Sequence, residues 1–151
     1  NRVQLLQNKL YLVGGTRTKR DTKMPIKKLF EKHPLLYREH GSATRHSMEK
    51  FIEQEGFPTY KKMEMTSNEA LKQALIAGLG YSVMPLIGIK NELRSKELEI
   101  IPLRGLPIIT HWNLVWLSEK RLSPVAEAYL GFLQQEKERI IGEVFDWSEN
   151  Y

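Results

Sequence analysis

The chain contains no cysteine, which excludes disulfide bonds and thiolate chemistry. It has no apolar run of the roughly 18 to 20 residues that cross a bilayer, and it does not open with a signal peptide. The motifs G-x-S-x-G, Walker A, G-x-G-x-x-G and H-E-x-x-H are absent, and the four histidines lack the spacing of metal ligands. These absences predict a cytoplasmic protein that is not an enzyme, with no catalytic residues, no metal, no cofactor and no membrane partner.

The positive charge is concentrated near the start of the chain. With 151 residues, 41% of them hydrophobic and 27% charged, the composition is typical of a globular protein. The net charge is +5, and much of the excess lies in "RTKRDTKMPIKKLFEK", residues 17–32. Because no aromatic residues interleave with these cations for base stacking, a solvated face is favoured over a surface that contacts nucleic-acid phosphates.

The hydrophobic pattern predicts alternating strands and helices over the first 85 residues. A β-prone run at 9–13 precedes Gly14-Gly15, which predicts a strand that ends in a turn. A short helix is expected after Pro25, since proline suits a first helical turn. The remaining predictions are strand 34–39, helix 44–55 ended by Gly56, strand 59–66, a helix capped by Ser67 or Asn68 and ended by Gly78 and Gly80, and strand 81–85 ended by Pro85.

This order predicts an α/β sandwich with a largely parallel sheet, in which ligands lie beyond the carboxyl ends of the strands. Two strand-to-helix junctions of that kind are "GSATR", 41–45, and "TSNEA", 66–70. Ser42, Thr44 and the nearby backbone N–H groups are suited to a carboxylate, sulfate or phosphate. The alternative is an ordinary helix cap with nothing external bound. The residues alone leave these two interpretations about equally favoured.

A helix-turn-helix is a further alternative for residues 69–93, because an alanine-rich helix is followed by a glycine turn. A recognition helix must present polar residues to base edges, and the segment in that place is the apolar "YSVMPLIGI". Pro85 would also interrupt such a helix. The pattern therefore argues against DNA recognition by this segment.

The last third of the chain has a different character. Two extended stretches are predicted at 98–103 and 108–117, followed by a long amphipathic helix capped by Ser123 with Pro124 in its first position. The apolar side of that helix requires a partner surface.

Several segments together resemble the C-terminal effector-binding domain of LysR-type transcriptional regulators. They are, in chain order, "LLYREHGSATRHSMEKFIEQEG", "MTSNEALKQALIAGLGYSVMP", "LEIIPLRG" and "HWNLVWLSEKRLSPVAEAYLGFL". The most specific parts are the E-x-G-S-x-T-R turn and the S-N-E-A-x-K-Q-A-x-x-A-G-L-G helix. The segment "GLPIITHWNLVWLSEKRLSPVAEAY" is further similar to the regulators of carbon-dioxide-fixation operons.

The resemblance implies a periplasmic-binding-protein-like (type 2) α/β fold, in which two subdomains joined by two crossover strands hold an effector in a cleft. It implies that residues 1–10 are a crossover from the first subdomain, 11–108 the complete second subdomain, and 109–151 the return crossover and C-terminal helix of the first. By the same resemblance the effector-binding residues are Gly41, Ser42, Ala43, Thr44, Thr66, Ser67 and Asn68. His40 stands where the family often has proline.

The resemblance also implies the partners: a small anionic metabolite, a phosphorylated one in the carbon-fixation subgroup, and further copies of the chain in a dimer or tetramer. DNA would be bound only through the family's N-terminal winged helix-turn-helix, which this sequence lacks together with most of the first subdomain. A solute-binding protein of a transporter shares the fold and is the alternative function.

Overall fold

The computed structural model describes residues 1–18 and 20–151, so that Lys19 within the predicted basic loop lies outside the described residues. The chain divides into two compact units. Unit 1 consists of residues 1–8 and 109–151, and unit 2 consists of residues 9–108. The strands are β1 (Arg2–Gly15), β2 (Leu35–Arg38), β3 (Lys62–Met65), β4 (Tyr81–Pro85), β5 (Leu98–Ile100) and β6 (Ile108–Val115), and the helices are α1 (Ile26–Lys32), α2 (Ala43–Glu55), α3 (Asn68–Ile76), α4 (Lys90–Arg94) and α5 (Pro124–Phe145).

Unit 2 is built on a sheet with the strand order β3-β2-β4-β1-β5. Strands β3 and β4 both run parallel to β2, whereas β1 is antiparallel to β4 and to β5. It follows that β2, β3, β4 and β5 share one direction. The predicted largely parallel sheet is therefore confirmed for these four strands, and it is wrong for β1, which runs the opposite way.

The predicted strand followed by a turn is confirmed, since β1 ends at Gly15 and the N–H of Thr18 donates to the carbonyl oxygen of Gly15 at 3.3 Å, but both glycines themselves lie in the strand. Gly14 pairs with Tyr81 of β4 and with Glu99 of β5, and Gly15 pairs with Leu98. A Cβ atom on Gly15 would lie 2.1 Å from the carbonyl oxygen of Leu75. Glycine is needed here for close packing of the strand against α3.

The period-two alternation along the strands of unit 2 sends side chains to two apolar layers. Leu10 and Leu12 of β1 lie in the layer covered by α1 and α2, while Val13 lies in the layer covered by α3. In β4 all five residues are buried, as expected for a strand covered on both faces. Burial of each large apolar side chain contributes about 1.5–3 kcal/mol, so the two layers are the main source of stability.

Most of the predicted elements of unit 2 are present, with shifted bounds. The helix from Ser67 ends at Ile76 with its capping residue Ala77, ahead of the left-handed Gly78, whose φ is 78°. Strand β3 covers four of the eight residues predicted for it. Helix α4 was not predicted, because five residues are too few for a helical period to be recognised in the sequence.

Unit 1 combines the first half of β1 with β6 and α5. The backbones of Asn1 and Trp116 exchange hydrogen bonds of 3.1 and 3.2 Å, and the Thr110 hydroxyl donates to the carbonyl oxygen of Asn8. The predicted cap of α5 is confirmed, since Ser123 Oγ accepts from the N–H of Ala126 at 3.3 Å. None of the 22 residues of α5 is buried. In the described part of the chain no helix combines the length and the apolar character that a bilayer crossing requires.

Replacement of Gly80 by alanine tests the tight packing in unit 2. The added Cβ would lie 2.2 Å from the carbonyl oxygen of Pro34, so the backbone must shift. We expect Gly80→Ala to lower the free energy of unfolding by about 1–3 kcal/mol, as overpacked cores do. Urea denaturation followed by circular dichroism measures this loss.

The matched control is Gly142→Ala in α5, where an added Cβ meets no atom within 4 Å. That change should be neutral or stabilise by about 0.5–1 kcal/mol, since alanine is the better helix former. Equal stability of the two variants would contradict the close approach of Gly80 to Pro34.

Candidate functional site

The in-register pairing of β2 and β3 brings two strand-to-helix junctions together in unit 2. The two strands are parallel, and Arg38 at the end of β2 is directly opposite Met65 at the end of β3. The two strands therefore end at the same edge of the sheet, the one formed by their carboxyl ends. From there the chain continues into α2 after β2 and into α3 after β3. This is the edge at which α/β proteins bind ligands.

The start of α2 is shaped by Gly41 and Ser42. Gly41 has a φ of 91°, which a side chain would disfavour. Ser42 is the N-cap residue of α2, and its hydroxyl accepts a hydrogen bond of 3.4 Å from the N–H of Arg45. Ser42 therefore caps α2, as the helix-cap interpretation predicts, and anion binding at this junction stays a prediction.

The start of α3 has the same arrangement. Ser67 is the N-cap residue, and its Oγ accepts from the N–H of Ala70 at 3.1 Å. Glu69 lies in the first turn, where a carboxylate interacts favourably with the helix dipole. The hydrogen bonds from the side chains of Gln73 and Lys72 hold the pKa of Glu69 below its usual range.

The other predicted site residues lie at the same two junctions. Ala43 and Thr44 are the first two residues of α2, with Ala43 exposed and Thr44 half-buried. Thr66 precedes the cap of α3, Asn68 is its first residue, and both are exposed. The structure thus brings the whole predicted set to one edge of unit 2, while its role in effector binding stays a prediction.

Arg45 connects α2 with the two strands β2 and β3 at this edge. Its Nε donates to Glu49 Oε1 at 2.9 Å, and its Nη1 donates to Glu64 Oε2 at 2.6 Å and to the carbonyl oxygen of Arg38 at 2.8 Å. Its Nη2 lies 3.2 Å from Nε2 of His40. Because its charge is already matched by two carboxylates, Arg45 is a structural tie between α2, β2 and β3.

The sequence reasoning did not single out Arg38, the residue that joins the two junctions. The Arg38 guanidinium binds the Glu39 carboxylate through Nε and Nη2, both at 2.8 Å, and its Nη1 donates to Oδ1 of Asn68. The Arg38 hydrogen bonds hold the pKa of Glu39 below its usual value. A cation at the end of a strand, immediately before a glycine-containing turn, is the signal that could have identified it.

The edge has little uncompensated positive charge. Arg38 and Arg45 are matched by Glu39, Glu49 and Glu64, and Glu69 adds a further carboxylate. An anion at this edge would therefore be attracted mainly by the unpaired N–H groups and dipoles of the helix starts. In the described ranges 1–18 and 20–151, no group of three histidine, aspartate or glutamate side chains is arranged to hold a metal ion.

Tyr37 is a buried aromatic residue beneath two cationic side chains, Arg45 and Lys62. It is 2% exposed, with Arg45 5.6 Å and Lys62 5.4 Å from its ring centroid. Burial raises the pKa of Tyr37 to about 12, with a further increase from Glu49 and an opposing effect from Arg45. The neutral phenol is thus favoured in the folded state.

Comparisons with known proteins place this chain in a family. The family model described as "LysR substrate binding domain" matches residues 2–138. A RuBisCO operon transcriptional regulator of Acidithiobacillus ferrooxidans is 42% identical over 100 residues, which is 66% of this chain and 32% of that protein. The HTH-type transcriptional activator CmpR of a Synechocystis strain is 32% identical over 143 residues, 93% of this chain and 47% of that protein.

A solved structure supports the same assignment. The regulatory domain of CcmR from Synechocystis PCC6803, in complex with 2-PG, superposes with a TM-score of 0.79 at 27% identity, covering 91% of this chain and 66% of that one. The chain belongs to the LysR substrate-binding domain family, and the predicted periplasmic-binding-protein-like fold and the resemblance to carbon-fixation regulators are confirmed. It spans about a third to a half of the length of these two curated relatives.

The raised pKa of Tyr37 predicts a pH dependence of stability. Between pH 10 and 12 the unfolded state releases the Tyr37 proton, while the folded state retains it. This contribution is fully present below pH 10 and is lost as the pH rises through about 12. A shift of two pKa units corresponds to about 2–3 kcal/mol.

We expect Tyr37→Phe to remove this component of the alkaline loss of stability, measured by urea denaturation at a series of pH values. The matched control is Tyr60→Phe, since Tyr60 is 71% exposed. The same pH profile for the wild type and Tyr37→Phe would show that the phenol titrates normally.

Proposed function

We propose that this chain is the effector-sensing part of a LysR-type transcriptional regulator and that Gly41, Ser42, Ala43, Thr44, Thr66, Ser67 and Asn68 contribute one wall of its effector site. The ligand is a small anionic metabolite. The observation that carries the proposal is the adjacency of two capped helix starts at one sheet edge in a chain of this family. The structure of CcmR with 2-PG supports an anionic ligand, because that regulatory domain is a relative of this chain.

The proposed domain assignment follows the family. Residues 11–108 form the second subdomain, 1–10 a crossover from the first, and 109–151 the return crossover and C-terminal helix. In this arrangement the exposed apolar residues of α5, such as Tyr129 and Phe132, are covered by the rest of the first subdomain.

The proposed mechanism is a shift between two states of the regulator. An effector that binds one arrangement of the protein more tightly increases its population, and the coupling free energy appears as altered DNA binding. In the whole cytoplasmic regulator, DNA is bound by an N-terminal winged helix-turn-helix, and the working form is a homo-oligomer. The chain itself supplies recognition and no catalysis, in keeping with relatives that are transcriptional regulators.

A titration of the chain with 2-PG tests the proposal. We expect backbone amide signals of residues 41–45 and 66–70 to shift in two-dimensional NMR spectra, because the N–H groups at the helix starts would donate to the ligand. Sugar phosphates and nicotinamide nucleotides, screened by thermal shift, extend the test to other anionic metabolites.

The double variant Ser42→Ala, Thr44→Ala should bind 2-PG about tenfold more weakly, the effect of losing one or two hydrogen bonds to a charged group. The control is Ser123→Ala, which removes an equivalent helix cap in α5. An unchanged titration of the double variant would rule out this site, and equal weakening by Ser123→Ala would assign the effect to a general loss of stability.

A further inference from the structure

The Arg38–Asn68 contact fixes the orientation of an amide group at the candidate site. Arginine carries only hydrogen-bond donors, so the atom of Asn68 that faces Arg38 Nη1 must be the carbonyl oxygen Oδ1. The amide nitrogen Nδ2 therefore lies on the other branch of the same planar group. The orientation of the Asn68 amide therefore follows from the fact that a guanidinium can only donate hydrogen bonds.

The other nitrogen atoms of the Arg38 guanidinium hold its position by binding Glu39. Its Nε and Nη2 bind both oxygens of Glu39 in a bidentate pair, which restrains the plane of the guanidinium. The carbonyl oxygen of the same residue accepts from Arg45 in the first turn of α2. Residue 38 is thus tied by its backbone to α2 and by its side chain to α3.

Within the described ranges of the chain, the Nδ2 group of Asn68 has no hydrogen-bond partner, and the residue is exposed. Two donor hydrogens are therefore available next to the start of α3. The neighbouring cations Arg38 and Arg45 are occupied by carboxylates, so they do not offer free charge to a ligand.

We infer that Arg38 is a positioning residue that turns Asn68 so that its amide nitrogen faces the effector, and that the site therefore selects ligands presenting an acceptor oxygen. This inference rests on the proposed effector function of the same edge. It names the chemistry selected, which is a carboxylate or phosphate oxygen recognised by neutral N–H donors. A ligand group that can only donate, such as an ammonium, would meet donors there and be excluded.

The sharpest test is Asn68→Asp. An aspartate still accepts from Arg38 and is favoured in the first turn of a helix, so the fold is retained. It presents a second carboxylate oxygen in place of Nδ2, and this oxygen repels an anion. We expect the affinity for 2-PG, measured by NMR titration, to fall at least about tenfold, the effect of one lost hydrogen bond to a charged group.

The matched control is Asn91→Asp, which makes the same substitution and the same charge change in the first turn of α4. Its affinity for 2-PG should stay within about twofold of the wild type, because an exposed charge away from the ligand is screened by salt. Comparable weakening in both variants would assign the effect to net charge and overturn the inference.

Arg38→Lys separates positioning from charge. Lysine keeps the positive charge but cannot hold Glu39 and Asn68 together in the planar geometry of a guanidinium. We expect a several-fold weaker binding of 2-PG, together with loss of the 2-PG-induced shift of the Asn68 side-chain NH2 signals.

The outcomes distinguish the inference from the proposed function. A wild-type response at residues 41–45 with unchanged binding by Asn68→Asp overturns the role of Asn68 and leaves the effector site in place. Unchanged binding and unchanged NH2 shifts in Arg38→Lys overturn the positioning role. If the wild-type chain shows no response to 2-PG at either junction, the effector site itself is refuted, and the inference is refuted with it.

Discussion

The parallel pairing of β2 with β3 is the constraint on which the candidate site depends. If β2 slipped by one residue, Leu36 would move from its apolar layer to the opposite one, and Arg38 would no longer lie beside Met65. On β3 only Met65 packs, half-buried, against the layer that contains Leu36, so the register is favoured by these two side chains while the rest of β3 is exposed. Placement of the polar junctions is a consequence of how the core packs.

On the side that faces β4, β2 is held by a small number of close contacts. Leu35 pairs with Tyr81, and the buried hydroxyl of Ser82 donates to the carbonyl oxygen of Leu36 at 2.6 Å. Gly80 approaches the backbone of Pro34 closely, where no other side chain fits. Together these contacts hold β2 between its neighbours, so that the strand carrying Arg38 has no freedom to slide.

The sequence predicted much of the fold, because unit 2 has long periodic segments with clear end signals. Helix α2 was recognisable from its apolar period and from Gly56, whose φ of 62° ends the helix in the left-handed conformation. The packing role of Gly14-Gly15 was not predictable, because a glycine pair signals a turn and a tightly packed strand equally well. The distinguishing fact, the proximity of Leu75, belongs to the tertiary structure.

The candidate site was predictable in its location and only partly in its contacts. The caps formed by Ser42 and Ser67 are local, acting over three residues, and local sequence encodes them. The contact of Arg38 with Asn68 spans 30 residues, and that of Arg45 with Glu64 spans 19. Such pairs depend on the strand register, which a single sequence does not specify.

The division of the chain has a consequence for how such proteins diversify. Unit 2 is one uninterrupted segment from Lys9 to Ile108, and just outside its two ends the Thr110 hydroxyl donates to the carbonyl oxygen of Asn8 at 3.3 Å. A segment whose two ends meet has the geometry of an inserted domain, since its removal or exchange leaves neighbouring ends to be rejoined. Recombination can therefore exchange this segment as a whole between related chains.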